Sequence, residues 1–198
     1  MSLWGATDSD ESKPKNLTTA EKKQVFANAS GWVLEAGSAL SGNDNTDADP
    51  EVLVAIGDLS TSIGAADITE VEMVTTTADK SEGFTISVRV RYNEPVDVVT
   101  TGGTPTLAVT NGNEGTGTGR GPHTLSYASG TGTNELIFSL AIAAANAATN
   151  ADDVLTVGAQ NIALNSGTIK DASGTASDAA VAISSAQGTA AGSVTVTA

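Results

Sequence analysis

The stretch NGNEGTGTGRG at residues 111–121 is rich enough in glycine to resemble a phosphate-binding loop. Such loops bind phosphate through backbone N–H groups that point at the ligand from the start of a helix. The dinucleotide pattern G-x-G-x-x-G fails here, because Arg120 occupies the place of the last glycine after Gly115 and Gly117. No G-x-x-x-x-G-K-[ST] pattern occurs anywhere in the chain. We therefore predict a hairpin tip rather than a nucleotide site.

His123 is the only histidine, and it follows Pro122 at the start of a predicted strand. A metal site in a chain without cysteine uses several histidines or a set of carboxylates, so one histidine is a weak metal signal. Serine and aspartate are plentiful enough for a Ser-His-Asp triad, but no G-x-S-x-G motif marks a nucleophilic serine. We predict that His123 lies at the surface and that the chain has no catalytic residue.

The segment GNDNTDADPE at residues 42–51 carries six side chains whose oxygens suit calcium: Asn43, Asp44, Asn45, Asp47, Asp49 and Glu51. The spacing of an EF-hand loop is absent, because glycine and glutamate do not stand at the required positions. We predict a solvated loop, with no bound metal and no cofactor. Asp152, Asp153 and Asp171 are interpreted in the same way, as turn residues that hydrogen-bond to nearby backbone.

The balance of charges excludes nucleic acid as a partner. Nine basic residues stand against 23 acidic ones, which gives a net charge of −14, and no segment supplies a cationic surface. The absence of cysteine excludes disulfides and thiolate metal sites. No apolar run approaches the ~20 residues of a membrane helix, and the first residues lack the pattern of a signal peptide. We therefore expect no membrane insertion.

The elements that would position these residues change in character near residue 65. Residues 1–65 hold both tryptophans, and we interpret them as a mostly irregular, partly β anchoring region. The capping-box spacing of Thr18 and Glu21 predicts a short helix over TAEKKQVFANAS that ends at Gly31. The apolar run at residues 52–56 predicts a buried strand.

Residues 66–198 are predicted to form an all-β sandwich. In GFTISVRVRYNEP the apolar residues share one face of a strand, and these are Phe84, Ile86, Val88, Val90 and Tyr92. Arg89 and Arg91 point to the opposite face, and Pro95 is expected to end the strand because it has no N–H to donate. Alternating segments separated by turn residues continue to the C-terminal SVTVTA. The alanine-rich LAIAAANAATNADD is interpreted as a strand that runs into a connection.

Aromatic residues are few in this region, and alternation places all of them on core faces: Phe84, Tyr92, Tyr127 and Phe138. A carbohydrate-binding cleft usually presents exposed aromatic rings, and a glycosidase adds a pair of carboxylates across that cleft. The pattern therefore disfavours both.

Three phrases carry a resemblance to a known family: VRYNEPVDVVTTGGTPTLAV, LSYASGTGTNELIFSLAI and NIALNSGTIKDASG. In order and spacing they resemble the bacterial and phage immunoglobulin-like repeats of large surface adhesins, over about residues 68–185. The resemblance implies an immunoglobulin-like β-sandwich that serves as a spacer or display module. It also implies a short edge strand over residues 168–170, between turns that use Gly167 and Gly174. Adhesins join many such repeats, whereas this chain has one.

The words MSLWGATD, KPKNLT, GWV and EVLVAIGDLS resemble the beginning of structural proteins from marine tailed phages, cyanophages especially. Together the two resemblances imply a non-enzymatic virion protein, made in the host cytoplasm, with residues 1–65 as its anchor. We expect a capsid (head) decoration protein that displays its immunoglobulin-like domain. The major capsid protein is the favoured partner, and the chain is expected to be multi-copy or homo-oligomeric. Leu3, Trp4 and Trp32 are the expected anchor residues, with packing of Trp4 on its own domain as an equal alternative.

Three other functions are compatible with the sequence, and a hydrolase is the least favoured of them. Within the same class, the chain is a structural protein associated with the phage tail, neck or fibre. From a different class, it is a calcium- or carbohydrate-dependent adhesion module.

Overall fold

The computed structural model describes residues 13–14, 16–112, 122–144, 146, 148–173 and 176–198. Over these residues the protein has an all-β, sandwich-like fold, as the sequence predicted. Two hydrophobic clusters stabilise it. The smaller one ends with Ile63, and the larger one begins with Ala66. We call the described residues up to 63 the N-terminal unit and those from 66 the sandwich unit. The predicted boundary at residue 65 lies between the two clusters.

The N-terminal unit is a three-stranded antiparallel sheet with strand order β1-β2-β3. Its elements are a 3₁₀ helix over Glu21–Gln24, β1 over Val25–Asn28, β2 over Gly31–Leu34, β3 over Glu51–Ala55 and the short helix α1 over Leu59–Ser62. One face of the sheet packs around Trp32 and Leu34, and Leu59 of α1 covers it.

The predicted helix in this unit is mostly wrong. The capping box exists, because the Thr18 N–H donates to Glu21 Oε2 at 2.7 Å and the Glu21 N–H donates to Thr18 Oγ1 at 3.3 Å. However, only one 3₁₀ turn follows it, and the chain then enters β1 at Val25. Val25 and Phe26 gain a partner strand and are buried there, so pairing and burial outweigh the local helix signal. Gly31 does not end a helix but begins β2.

The run at residues 52–56 forms a strand, as predicted, but that strand is not buried. β3 lies at the edge of its sheet, and Val52 and Leu53 expose 48% and 36% of their surface. The pairing of β2 with β3 shifts register between Trp32 and Val33. The apolar composition therefore predicted the strand correctly, but it predicted burial where the strand is exposed.

The sandwich unit is a curled nine-stranded sheet that encloses the larger cluster, beside a two-stranded sheet of β11 and β13. Its order is β12-β6-β9-β8-β7-β10-β14-β5, and β4 also pairs with β6. The strand bounds are β4 Ile68–Met73, β5 Ala78–Asp79, β6 Phe84–Val99, β7 Thr106–Gly112, β8 His123–Ser129, β9 Thr133–Ile142, β10 Val154–Thr156, β11 Gln160–Asn161, β12 Thr168–Asp171, β13 Ala182–Ile183 and β14 Ser193–Thr197.

β6 is the central element of this unit. The predicted alternation is confirmed, because Ile86, Val88, Val90 and Tyr92 are each at most 1% exposed. Pro95 does not end the strand, which corrects the prediction. β4 pairs with β6 up to Tyr92, and β12 takes over the same edge from Val96. Pro95 lies at the gap between these two partners, where a missing N–H disturbs neither ladder.

The alanine-rich segment behaves as predicted, since β9 ends at Ile142 and a connection leads to β10. The helix that does occur in the sandwich unit, α2 over Ser185–Ala190, was missed. Its signal is the capping box of Ser184 and Gln187, whose side chains bond to each other's backbone N–H at 3.3 and 2.9 Å.

The phrase NSGTIKDASG forms the predicted edge strand β12, but the turn before it is made differently. The left-handed positions belong to Asn165 and Ser166, with φ of 52° and 70°. Gly167 is required for space, because a Cβ there would lie 2.3 Å from the Gly103 carbonyl oxygen and 2.9 Å from that of Val99. Gly174 lies outside the described residues.

We expect Gly167→Ala to lower the free energy of unfolding by about 2 kcal/mol, because backbone atoms of two neighbouring segments must move. Urea denaturation measures this loss. Gly158→Ala is the matched control, since a Cβ at Gly158 meets nothing within 4 Å. Equal stabilities of the two variants would contradict the packing role of Gly167.

Candidate partner-binding surface and buried polar sites

The outer face of β6 does not face solvent along its whole length, because the N-terminal unit covers part of it. Arg89 and Arg91 project from this face, as alternation predicted. Glu70 of β4 and Glu135 of β9 stand directly opposite Arg91 in the strand register. Glu35, which follows β2, reaches the same guanidinium from the N-terminal unit.

Arg91 therefore binds three carboxylates at once. Its Nη1 is 2.6 Å from Glu70 Oε2, and its Nε is 2.5 Å from Glu135 Oε1 and 3.3 Å from Glu35 Oε1. The Arg91 side chain is only 12% exposed. Burial by itself would lower the pKa of Arg91, but the surrounding carboxylates outweigh burial and raise it. The guanidinium is thus a fixed charge that links the two units.

Further pairs extend this contact into a network. Lys23 Nζ lies 2.6 Å from Glu70 Oε1, which adds a second link between the units. Arg89 Nη2 lies 2.6 Å from Glu72 Oε2 within the sandwich unit. Asn134 Nδ2 donates to Glu35 Oε1 at 3.0 Å. Burial raises the pKa of Glu35, although Arg91 opposes the shift.

Lys13 belongs to the same region. Its Nζ donates to the carbonyl oxygen of Lys22 at 2.7 Å. Burial lowers the pKa of Lys13 to about 8, while Glu35 opposes the shift and Arg91 adds to it.

An open groove of about 760 Å³ runs between the two units. Its lining includes Phe26, Glu35, Ser38, Arg91, Asn134 and Glu135. The charged groups among these residues are already paired with one another. The groove is therefore a joint between the units, and its ionic groups would have to give up existing partners to bind a ligand.

The apolar surface left exposed lies mainly on the N-terminal unit. Within the described residues, the exposed large hydrophobic side chains are Leu40, Val52, Leu53, Val74 and Val99. Val52 and Leu53 belong to β3, whose outer edge has no partner strand in this sheet. An edge strand with apolar side chains is a surface that other chains can pair with or cover. This edge is the best candidate for a partner-binding surface.

Of the three predicted anchor residues, the structure describes only Trp32. Leu3 and Trp4 lie outside the described residues. Trp32 is 1% exposed in the core of the N-terminal unit, between β1 and β3. This corrects its predicted role, because a side chain that holds its own sheet together has no surface to offer a partner. The exposure of Val52 and Leu53 was not predicted, because their apolar run was taken as a sign of burial.

His123 is not at the surface, which corrects a second prediction. It is 6% exposed, and its Nε2 lies 3.0 Å from Thr149 Oγ1. Burial lowers the pKa of His123, and the charge of Asp153 partly offsets this. A hydroxyl, an imidazole and a carboxylate are the groups of a hydrolytic triad. Thr149 and Asp153 are both 0% exposed, however, so a substrate has no access to them.

Glu94 was missed as a site residue. It is 0% exposed, and its Oε1 has no hydrogen-bond partner. Ser173 Oγ lies 3.2 Å from Glu94 Oε2 and 2.6 Å from Asp171 Oδ1. Burial, together with the charges of Asp171 and Asp67, raises the pKa of Glu94 to about 7. The signal was present in the sequence, because alternation along β6 places residue 94 on the same face as Val90 and Tyr92.

Two of the three acidic residues interpreted as turn formers, Asp153 and Asp171, act in this way. Asp171 Oδ1 accepts the Ser173 N–H at 2.6 Å, and Asp153 Oδ2 accepts the Asn150 N–H at 2.7 Å. Both are nonetheless buried, which the sequence did not indicate. The segment at residues 42–47 is exposed, as predicted, and its Asn side chains accept bonds from nearby backbone.

In the ranges that the structure describes, no group of three His, Cys, Asp or Glu side chains is arranged to hold a metal ion. The same ranges contain no helix that is long and apolar enough to cross a membrane. A comparison with protein-family models found no match, and comparisons with curated proteins and with solved structures found no similar protein. The resemblances drawn from the sequence therefore stay predictions.

We expect Arg91→Met to lower the free energy of unfolding by about 3 kcal/mol, because it leaves Glu35, Glu70 and Glu135 without their shared cation. Arg89→Met is the matched control. It should cost about 1 kcal/mol or less, since the side chains of Arg89 and Glu72 are 27% and 41% exposed. Chemical denaturation of both variants measures the difference. Similar losses would show that Arg91 has no special role in joining the units.

We expect the His123 signal in a proton NMR titration to give a pKa below the ordinary value of about 6.5. As the pH decreases, His123 of the unfolded chain takes up a proton at a higher pH than His123 of the folded chain. The free energy of unfolding therefore falls as the pH decreases below the ordinary histidine pKa. His123→Gln should remove this part of the decrease, which begins as the pH falls through the ordinary histidine pKa of about 6.5. If the free energy of unfolding depended on pH in the same way for His123→Gln and the unmodified protein, the burial of a neutral imidazole would be contradicted.

Proposed function

We propose that this chain is a non-enzymatic structural protein of a tailed-phage virion, most specifically a capsid decoration protein. In this role the N-terminal unit attaches to the particle, and the sandwich unit is displayed outward. The observation that carries the proposal is the unpaired, apolar edge strand β3 on the N-terminal unit. The resemblances of both parts of the sequence supply the class of particle.

The position of the exposed apolar residues supports attachment through the N-terminal unit. Leu40, Val52 and Leu53 all belong to it, whereas the sandwich unit buries most of its large apolar side chains. A strand edge with apolar side chains can be covered by a neighbouring capsid subunit, which supplies both a partner strand and apolar contact. The major capsid protein is the partner that the proposal favours, and several copies per particle follow from the symmetry of a shell.

The joint between the units supports a role in display. A module that projects from a particle must keep its orientation relative to its anchor, and flexible connections fail to do this. Here Arg91 and Glu35, Lys23 and Glu70, and Asn134 and Glu35 all join the two units. The net charge of −14 helps to keep closely spaced copies from associating with one another.

In the proposed role, the groups of side chains in the described residues that most resemble catalytic ones have structural functions. The arrangement nearest to a hydrolytic triad in the described residues is Thr149, His123 and Asp153, which is sealed in the protein interior. The carboxylates around Arg91 are held in ion pairs, so they are poor candidates for proton transfer.

The test is cryo-electron microscopy of particles reconstituted from purified virions that lack this chain and added recombinant protein. We expect regular density on the head, with the N-terminal unit against the shell. Val52→Asp should sharply reduce the occupancy, because a charge on the β3 edge opposes docking. Val99→Asp is the matched control, since Val99 is 50% exposed on the sandwich unit, and it should leave occupancy unchanged.

Three outcomes would contradict parts of the proposal. Density confined to the tail, neck or fibres would overturn capsid decoration and leave the virion role intact. Absence of density from every particle would overturn the virion role and favour an adhesion module. Equal occupancy for Val52→Asp and the unmodified protein would show that β3 is not the attachment surface.

A further inference from the structure

We propose that Glu94, Asp171, Ser173 and the backbone carbonyl of Ser60 form a binding site for one calcium ion. The site lies where the end of β12, the middle of β6 and helix α1 meet. It is separate from the acidic loop at residues 42–51, and it does not depend on the proposed virion role.

The oxygen atoms around Ser173 outnumber the protons available to them. Ser173 Oγ lies 2.6 Å from Asp171 Oδ1, 2.7 Å from the Ser60 carbonyl oxygen and 3.2 Å from Glu94 Oε2. A hydroxyl group has one proton, so it can donate to only one of these three acceptors. Asp171 Oδ1 also accepts the Ser173 N–H, so the Ser60 carbonyl oxygen and Glu94 Oε2 compete for the hydroxyl proton and at least one of them is left without it. A buried oxygen without a donor is unfavourable unless a positive charge neutralises it.

The two carboxyl groups at this place are buried without a compensating charge. Glu94 is 0% exposed, and its Oε1 makes no hydrogen bond. Asp171 is 3% exposed, so two carboxyl groups are withdrawn from water within reach of the same hydroxyl. No lysine or arginine forms an ion pair with Glu94 or Asp171 in the described part of the chain. A bound divalent cation would neutralise both carboxylates and give Oε1 a partner.

The donor set selects calcium. Two carboxylates, a carbonyl and a hydroxyl are all oxygen ligands, which excludes the metals that prefer imidazole or thiolate. Ligands that each lie about 2.4 Å from one calcium ion are themselves about 3 Å apart, which matches the separations around Ser173. Magnesium is less suitable, because it needs near-octahedral geometry and keeps several waters. Ser173 is partly exposed, so water can complete the coordination sphere.

The location gives the ion a mechanical role. Ser60 belongs to α1 of the N-terminal unit, whereas Glu94 and Asp171 belong to the sandwich unit. A shared ion would therefore join the two units on a second side, in addition to the network around Arg91. Its removal would loosen the joint without removing either hydrophobic core.

The experiment uses the full chain, stripped with EDTA and titrated with calcium chloride up to about 10 mM, the range of weak extracellular sites. Isothermal calorimetry should give one ion per chain, and Tm should rise by about 5–10 °C at a hundredfold excess over Kd. Glu94→Gln should abolish both effects. It should also be at least as stable as the unmodified protein in EDTA, because it removes a buried charge, and this separates lost binding from lost folding.

Asp44→Asn is the matched control. Asp44 is an exposed carboxylate in the loop at residues 42–51, and its loss should leave the stoichiometry and the Tm shift unchanged. A chain that shows no heat and no Tm shift with calcium would overturn the site, and would indicate that Glu94 and Asp171 share a proton instead. Retained binding by Glu94→Gln, or lost binding by Asp44→Asn, would also overturn it.

Discussion

The guanidinium of Arg91 is the central contact between the N-terminal unit and the sandwich unit. Arg91 is withdrawn from water on the outer face of β6, and such a charge is tolerable only with partners. Two of its partners are cross-strand neighbours in the sandwich, and the third, Glu35, comes from the N-terminal unit. Removal of the N-terminal unit would expose Arg91 again, and removal of Arg91 would leave carboxylates facing each other. Each unit thus holds a charged group, Arg91 or Glu35, whose partner belongs to the other unit.

The two faces of β6 have different roles in the fold. Its inner face supplies Ile86, Val88, Val90 and Tyr92 to the core, and its outer face supplies the arginines. The same alternation continues through residue 94 to Val96, which explains why Glu94 is buried. A carboxyl group at a core position is a departure from the pattern that stabilises the rest of the strand. Such departures are where a functional site is expected, and here it coincides with the contact between Ser173 and Ser60.

The sequence was informative wherever a pattern extended over many residues. The alternation of β6 and β9 identified their core faces correctly, because a shift of one residue would bury Arg89 and Arg91. Shorter signals failed when tertiary contacts competed with them. Thr18 and Glu21 form a capping box, yet β pairing ends the helix after one turn.

The environment of a residue was harder to predict than its secondary structure. The apolar run of β3 cannot reveal that the strand lies at an edge, since strand order is a property of the whole sheet. The burial of His123 depends on Thr149, and that of Glu94 on Ser173, in each case far along the chain. For Glu94 the parity of β6 was a usable sign, but the expected stop at Pro95 concealed it.

The pairing of β14 has a consequence for the order in which the protein folds during synthesis. β14 lies between β10 and β5, and it pairs with β5 in parallel through Val196 and Ala78. The contacts around Arg91 use residues up to Glu135, whereas β5 has no partner until β14 at Ser193–Thr197 has been synthesised. Contacts this distant in sequence form slowly. A nascent chain therefore joins its two units first and closes the sandwich last, with β10 left open as a temporary edge on which neighbouring nascent chains could misassemble.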